Sequence, residues 1–320
     1  MAAKSTGLAG RARATPAGWI ASPERGSSTL LKIMTFVSLR LGRPVGRCLL
    51  YCIASYFFLF APTARRHARE YLRLALGRAP SGVDRFRQVF SFAATILDRL
   101  YLLNGRFELF DVSIEGEALM RETLGRGTGA FLMGAHLGSF EIMSAVGRRQ
   151  AGLRVAMVMY EENARRLNAI FNAVNPATKP EIIPLGGIEA MLRISERLDE
   201  GVFVGMLGDR TIGDQPALRV NFLGRPALFP TGPMRAAAIL RRPVIFMVGL
   251  YRGANRYHVV FEPLADFSQT RPAQRAAAVA AAIERYGALL ERYCRSDPYN
   301  WFNFYDFWQD AGNASSALEE

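Results

Sequence analysis

From about residue 112 onward, short apolar runs alternate with stretches of helical periodicity, and this alternation restricts the fold more than any other feature of the chain. Candidate strands fall at 112–115, 130–133, 154–159, 181–184, 202–207, 244–250 and 257–261. Helical stretches cover 140–149, 164–174, 188–199, 232–240 and 272–295. Helix-length segments between strands suit crossover connections, so the pattern predicts an α/β fold with a mostly parallel central sheet flanked by helices. In such sheets, sites form beyond the carboxyl ends of the strands.

Two of those ends carry polar residues. Gly134-Ala135-His136-Leu137-Gly138-Ser139-Phe140-Glu141 follows the run 130–133, and Asp209-Arg210 follows the run 202–207. The chain has three histidines, and His136 sits in a turn of small residues where an imidazole can be exposed. A carboxylate bonded to one ring nitrogen fixes the tautomer and leaves the other free to take a proton, as a general base for a hydroxyl must. Glu141 is the carboxylate nearest in sequence. A step of five residues turns a straight helix by about 140°. The pair therefore meets only if His136 lies in the loop after a strand and Glu141 in the first turns of the next helix. Gly134 and Gly138 supply the backbone freedom for that turn. The spacing alone fits equally a histidine that caps the helix, with Glu141 favoured near its positive end. No Gly-x-Ser-x-Gly elbow is present, and Ser139 reads as a helix N-terminal residue.

No metal site is predicted. Zinc would favour two histidines at i, i+4 plus a third ligand, and His67 and His258 lie far from His136 in sequence. Two polar pairs at equivalent ends of one sheet predict a shared cleft. Arg210 suits a planar bidentate contact to a phosphate or carboxylate. Asp209 suits a hydroxyl or a role in holding Arg210, and an ordinary ion pair at a strand end explains both residues too. Thr231 is a candidate N-cap for a helix starting at Gly232. The positive end of that helix would suit an oxyanion or phosphate, although a plain strand-to-helix turn has the same residues.

The formal charge of +12 is confined to the first third of the chain. Residues 1–110 hold 17 basic and 5 acidic side chains, and residues 111–320 hold 23 of each. A basic region beside apolar sequence suits an anionic membrane surface. Nucleic acid is disfavoured, because no nucleic-acid motif appears and the basic residues flank apolar runs. Residues 1–29 read as disordered and lack the apolar region of a signal peptide; Met34 is an alternative start. Two apolar runs follow, 30–41 and 48–61. The second has 14 residues without a charge, bracketed by Arg40, Arg43 and Arg47 before it and Arg65, Arg66 and Arg69 after it. Crossing a bilayer takes about 20 residues. The run therefore predicts a segment that enters one leaflet from the cytoplasmic face, with a buried core helix as the competing reading. Residues 63–104 read as helical with a break near 77–82. Cys48, Cys52 and Cys294 form no disulfide framework and read as packing residues.

Three blocks together resemble the lysophospholipid acyltransferase superfamily, and within it the bacterial lipid A biosynthesis acyltransferases, over roughly residues 34–308. They are the His-x4-Asp/Glu box at His136 and Glu141, the segment Gly205-Met206-Leu207-Gly208-Asp209-Arg210 with Val220 to Pro233, and the aromatic block ending in Trp301-Phe302-Asn303-Phe304. The resemblance implies a glycerolipid acyltransferase-like fold. Its expected division is a disordered tail at 1–29, an apolar and basic helical membrane-associating region at 30–110, a catalytic domain at 111–310 and a disordered tail at 311–320. It implies transfer of a fatty acyl group from an acyl-carrier protein or acyl-CoA thioester to a hydroxyl of a lipid or glycolipid. No cofactor and no covalent acyl-enzyme are implied. His136 would deprotonate the hydroxyl and Glu141 would orient the imidazole. Asp209, Arg210, Arg225, Thr231 and Gly232 would bind substrate. The implied location is the cytoplasmic face of the bacterial inner membrane.

The chain departs from that family at three places. Arg210 stands where glutamine is usual, Lys179 alone remains of a basic stretch, and Asn303 and Asp306 stand where basic residues are common. A bis-phosphorylated sugar attracts more cations, so the acceptor stays open among lipid A, other glycolipids, ornithine lipids and aryl-polyene pigments. Two further functions fit the sequence: an acyl-ester or thioester hydrolase in which His136 activates water, and a non-catalytic membrane lipid-binding protein.

Overall fold

The apolar runs pair into one sheet in a computed structural model that describes residues 40–149, 152–175, 179–211 and 215–308. Its strands are β1 (Asp111–Glu115), β2 (Phe131–Gly134), β3 (Val155–Tyr160), β4 (Glu181–Leu185), β5 (Phe203–Leu207), β8 (Pro243–Tyr251) and β9 (Arg256–Asp266). The seven lie in the order β1-β9-β8-β2-β5-β3-β4. β8, β2, β5, β3 and β4 run parallel, as crossover connections require. β9 returns antiparallel to β8 through a short turn, and β1 pairs parallel with β9.

Helices cover both faces. They are α1 (Arg43–Phe60), α2 (Pro62–Leu76), α3 (Gly82–Leu103), α4 (Glu117–Gly125), α5 (Phe140–Arg149), α6 (Glu161–Val174), α7 (Gly187–Asp199), α8 (Gly232–Ile239) and α9 (Arg275–Ser296). The sheet side chains alternate between two apolar clusters. Phe131, Met133, Val204 and Met206 join α2, α7, α8 and α9 on one face. Ala130, Leu132, Phe203 and Met247 join α1, α3 and α5 on the other. The helical stretch 63–104 breaks where expected. Gly77 ends α2 in the left-handed conformation, at φ 65°. Ser81 and Asp84 then start α3 with a reciprocal capping box.

Two elements escaped the sequence reading. α4 is nine residues long and fully buries only Met120 and Thr123, with Leu119 and Leu124 half-buried against the core, so its apolar face spans little more than one turn. Residues 217–230 fold as an antiparallel hairpin outside the main sheet, β6 (Ala217–Phe222) and β7 (Arg225–Pro230). Leu223 and Gly224 turn it with φ of 54° and 81°, the primed geometry of two-residue hairpin loops. Leu-Gly is a weak signal for that turn. Tertiary packing decides it, with Phe222 against Trp301 and Phe229 against Tyr286.

The run 48–61 lies within α1. This helix buries Gly46, Leu50 and Ala54 and exposes Tyr51, Tyr56, Leu59 and Phe60. Arg43 near its start pairs with the buried Asp98 of α3 at 2.7 Å, and Asp98 also accepts from Tyr257 of β9 at 2.8 Å. Among the described residues no single helix is long and apolar enough to cross a membrane. α1 and α2 meet that test only together, bent by 94°. Residues 1–29, almost all of the run 30–41 and the tail 311–320 lie outside the described residues.

Candidate active site

β2 and β5 are parallel neighbours, with Gly134 opposite Leu207. The same register carried two residues further sets His136 beside Asp209, just beyond the carboxyl ends of both strands. Asp209 Oδ1 lies 2.8 Å from His136 Nδ1, and Oδ2 accepts the His136 backbone N–H at 3.0 Å. Trp301 Nε1 and Asn303 Nδ2 donate to Oδ2 at 3.3 and 3.2 Å. A fully buried carboxylate with this many donors is satisfied as an anion. The His136 and Arg210 charges and the hydrogen bonds outweigh its burial and hold Asp209 well below the usual carboxylate range.

An Nδ1–H bonded to Asp209 leaves Nε2 as the lone-pair nitrogen. Nε2 has no protein partner among the described residues, and the side chain is 31 % exposed. Crowding around the rest of the ring disfavours the imidazolium. Opposed by Asp209 and helped by Arg210, it sets the His136 pKa below its ordinary value. The ring is therefore neutral at neutral pH, with one nitrogen anchored and the other open.

Glu141 takes the predicted place in the first turn of α5, but the expected contact with the imidazole is not made. Its carboxylate meets Arg99 of α3, Nε to Oε1 at 2.6 Å as an ion pair without hydrogen-bond alignment. It also accepts weakly from Ser139 Oγ at 3.4 Å. The turn explains the swap. Gly138 has φ 75° and packs on β8 so closely that a Cβ there would sit 2.1 Å from the Gly249 carbonyl oxygen. Ser139 N–H donates to that same oxygen at 2.7 Å. The chain is thus turned away from β5 before α5 begins, and Glu141 faces α3. Ser139 Oγ accepts from Ile142 N–H at 3.3 Å, the helix-start role expected of it.

The loop is held from behind by the C-terminal aromatic block. Gly138 N–H donates to Asn300 O, and Phe302 N–H donates to His136 O, both at 2.8 Å. Gln88 of α3 donates to Trp301 O at 2.7 Å. Arg210 reaches the same block. Its Nε and Nη2 donate to Asn303 Oδ1 at 2.9 and 2.7 Å, with the guanidinium over the Tyr305 ring. Asn303 therefore links Arg210 to Asp209, although no sequence spacing connects residue 303 with residue 209. Arg99 was missed for the same reason.

The other predicted substrate residues lie apart. Arg225 pairs with Glu70 of α2 and sits over the Trp308 ring, so its charge is already matched away from His136. Thr231 occupies the N-cap position of α8, yet its side chain makes no cap. Its N–H and hydroxyl both donate to Pro216 O, at 2.9 and 3.1 Å. Gly232 opens a helix of eight residues. These two form a joint between β7 and the chain beyond Arg210, with no hydrogen bond to the His136–Asp209 pair among the described residues.

A cavity of about 250 Å³ lies between α5 and the sheet. Leu132, Phe140, Met143, Met157, Met247 and Phe261 are among its lining residues, and Arg148 and Lys179 join its wall. A family model described as bacterial lipid A biosynthesis acyltransferase matches residues 22–309. Comparison with curated proteins finds no match.

Proposed function

Because the chain belongs to the bacterial lipid A biosynthesis acyltransferase family, it is an acyltransferase, and we propose that His136 and Asp209 are the pair that activates the acceptor hydroxyl. The acceptor O–H would meet Nε2. As the oxygen attacks the thioester carbonyl, Nε2 takes its proton and the imidazolium is held by Asp209. Collapse of the tetrahedral species breaks the C–S bond, and the imidazolium returns the proton to the departing thiolate. No covalent acyl-enzyme is needed. The observation that carries this reading is the 2.8 Å contact of Nδ1 with a buried carboxylate in a side chain that stays 31 % exposed, with no partner on Nε2 among the described residues.

Arg210, held flat by Asn303 and Tyr305, is the cation beside the pair and suits a phosphate or carboxylate of donor or acceptor. The apolar cavity under α5 suits the acyl chain, so bulk at Gly147, which lines it, is expected to shorten the chain transferred. The donor is an acyl-carrier protein or acyl-CoA thioester. The acceptor is a membrane lipid or glycolipid carrying a free hydroxyl.

Untargeted lipid mass spectrometry tests this in a host lacking the gene and complemented with wild type or His136→Ala. One lipid should gain a single acyl mass with wild type only. Equal gain with His136→Ala would remove His136 from the mechanism, and appearance of free fatty acid without an acylated lipid would favour the hydrolase.

A further inference from the structure

Three side chains with metal-binding atoms converge where α2 meets the chain beyond Asn303. His67 and Glu70 lie three positions apart on α2, hence on one face of that helix. Asp306 comes to them from the chain that follows Asn303. One ligand atom from each lies within 4.8 Å of the other two, and all three residues are partly buried. Two polar atoms in this corner are buried without a hydrogen-bond partner: His67 Nδ1, and the indole N–H of Trp308 beside Arg225. Asp306 has no hydrogen bond or ion pair with another described residue. Glu70 gives one oxygen to Arg225 and keeps the second. A buried ring nitrogen without a partner is costly, and a cation held by the cluster would neutralise its carboxylates and take one nitrogen of the His67 ring.

We infer that His67, Glu70 and Asp306 bind a divalent transition-metal ion of the zinc type. One imidazole nitrogen and two carboxylate oxygens suit zinc better than magnesium or calcium, which prefer oxygen alone. Ligands of a four-coordinate zinc ion stand about 3.3 Å apart. Side-chain rotations of about an ångström therefore gather these three donors, and a fourth position stays open for water. The ion would tie α2 to the segment that carries Trp301 and Asn303, which hold Asp209. Tyr71, one turn after His67, already packs its ring on Trp301 at 4.8 Å. The inference is independent of the acyl-transfer mechanism.

The test uses the full chain in detergent micelles, stripped with EDTA and titrated with zinc chloride by calorimetry. It is repeated in a Cys48→Ser/Cys52→Ser background, because those two thiols are exposed. One equivalent should bind at micromolar concentration or tighter, with proton release and a raised Tm. His67→Ala and Asp306→Asn should each weaken binding about tenfold or more, and cobalt should give a visible absorption band that both variants lose. Asp306→Asn is the variant least disruptive to folding, and circular dichroism of the stripped protein checks both. Absence of stoichiometric binding in wild type, or unchanged binding in both folded variants, would overturn the inference.

Discussion

At the scale of single residues, two buried carboxylates stand near one imidazole, and their partners separate their roles. Asp209 touches the ring, whereas Glu141 is bound to Arg99. The acid limb of kcat/KM should therefore fall below about pH 6.5, because burial holds His136 below its ordinary value. The rate should rise with pH through that limb as the ring loses its proton. Asp209→Asn removes an interaction that raises the His136 pKa. The limb should move further down, while kcat drops by about three to four orders of magnitude. Glu141→Gln should leave the limb in place and cost about 1–3 kcal/mol of stability, since it strands the Arg99 charge. pH–rate profiles and denaturant midpoints of the two variants decide between the carboxylates. A limb that follows Glu141 and ignores Asp209 would reverse the assignment. The positions of both carboxylates at the site end of the sheet were legible in the sequence. The pairing was not, because proximity in sequence pointed to Glu141 and proximity in space pointed to Asp209.

At the scale of elements, the turn that carries His136 depends on the fit of one loop to one strand. Gly138→Ala puts a Cβ onto the Gly249 carbonyl at positive φ, which should cost at least about 2 kcal/mol. It should also abolish transfer even in the folded fraction, as a paired thermal melt and activity assay would show. The start of α3 is a second joint. Asp84 accepts from Ser81, from Arg78 and from the Tyr299 hydroxyl two residues before Trp301. Asp84→Ala should lower stability by about 2 kcal/mol and loosen the block behind His136, measurable as faster amide exchange at Trp301 and Phe302. The sequence signalled the break near 77–82, and the structure supplies the capping box of Ser81 and Asp84 that ends it. The β6–β7 hairpin was not signalled, since its strands are short and its Leu-Gly turn is weak, so only the aromatic residues it packs against define it.

At the scale of the whole molecule, the N-terminal helices are built into the catalytic body as well as turned toward solvent. Arg43, Asp98 and Tyr257 lock α1 to α3 and β9, whereas Tyr51, Tyr56, Leu59 and Phe60 stay exposed on α1, with Val83 and Phe92 on α3. Exposed aromatic and aliphatic groups beside a basic region suit a one-leaflet contact with an anionic membrane. The triple change Tyr56→Ser/Leu59→Ser/Phe60→Ser should reduce co-sedimentation with phosphatidylglycerol vesicles about tenfold and leave the melting temperature within a few degrees. Undiminished binding would discard this face as the membrane contact. Deleting the helix is a poorer probe, because it would leave the Asp98 charge buried and unpaired.

The sequence by itself determined the α/β class, the strand-end positions of His136 and Asp209 and the break between α2 and α3. Apolar periodicity, glycine turns and caps are local signals that survive without a partner. Only the tertiary structure decided which strands are neighbours. Inserting β5 between β2 and β3 sets residue 209 beside residue 136, within reach of Asn303, while the packing of helices and hairpin gives Arg99 and Arg225 their partners. Strand order depends on how whole layers bury their apolar faces against each other, and no window of sequence around His136 contains that information.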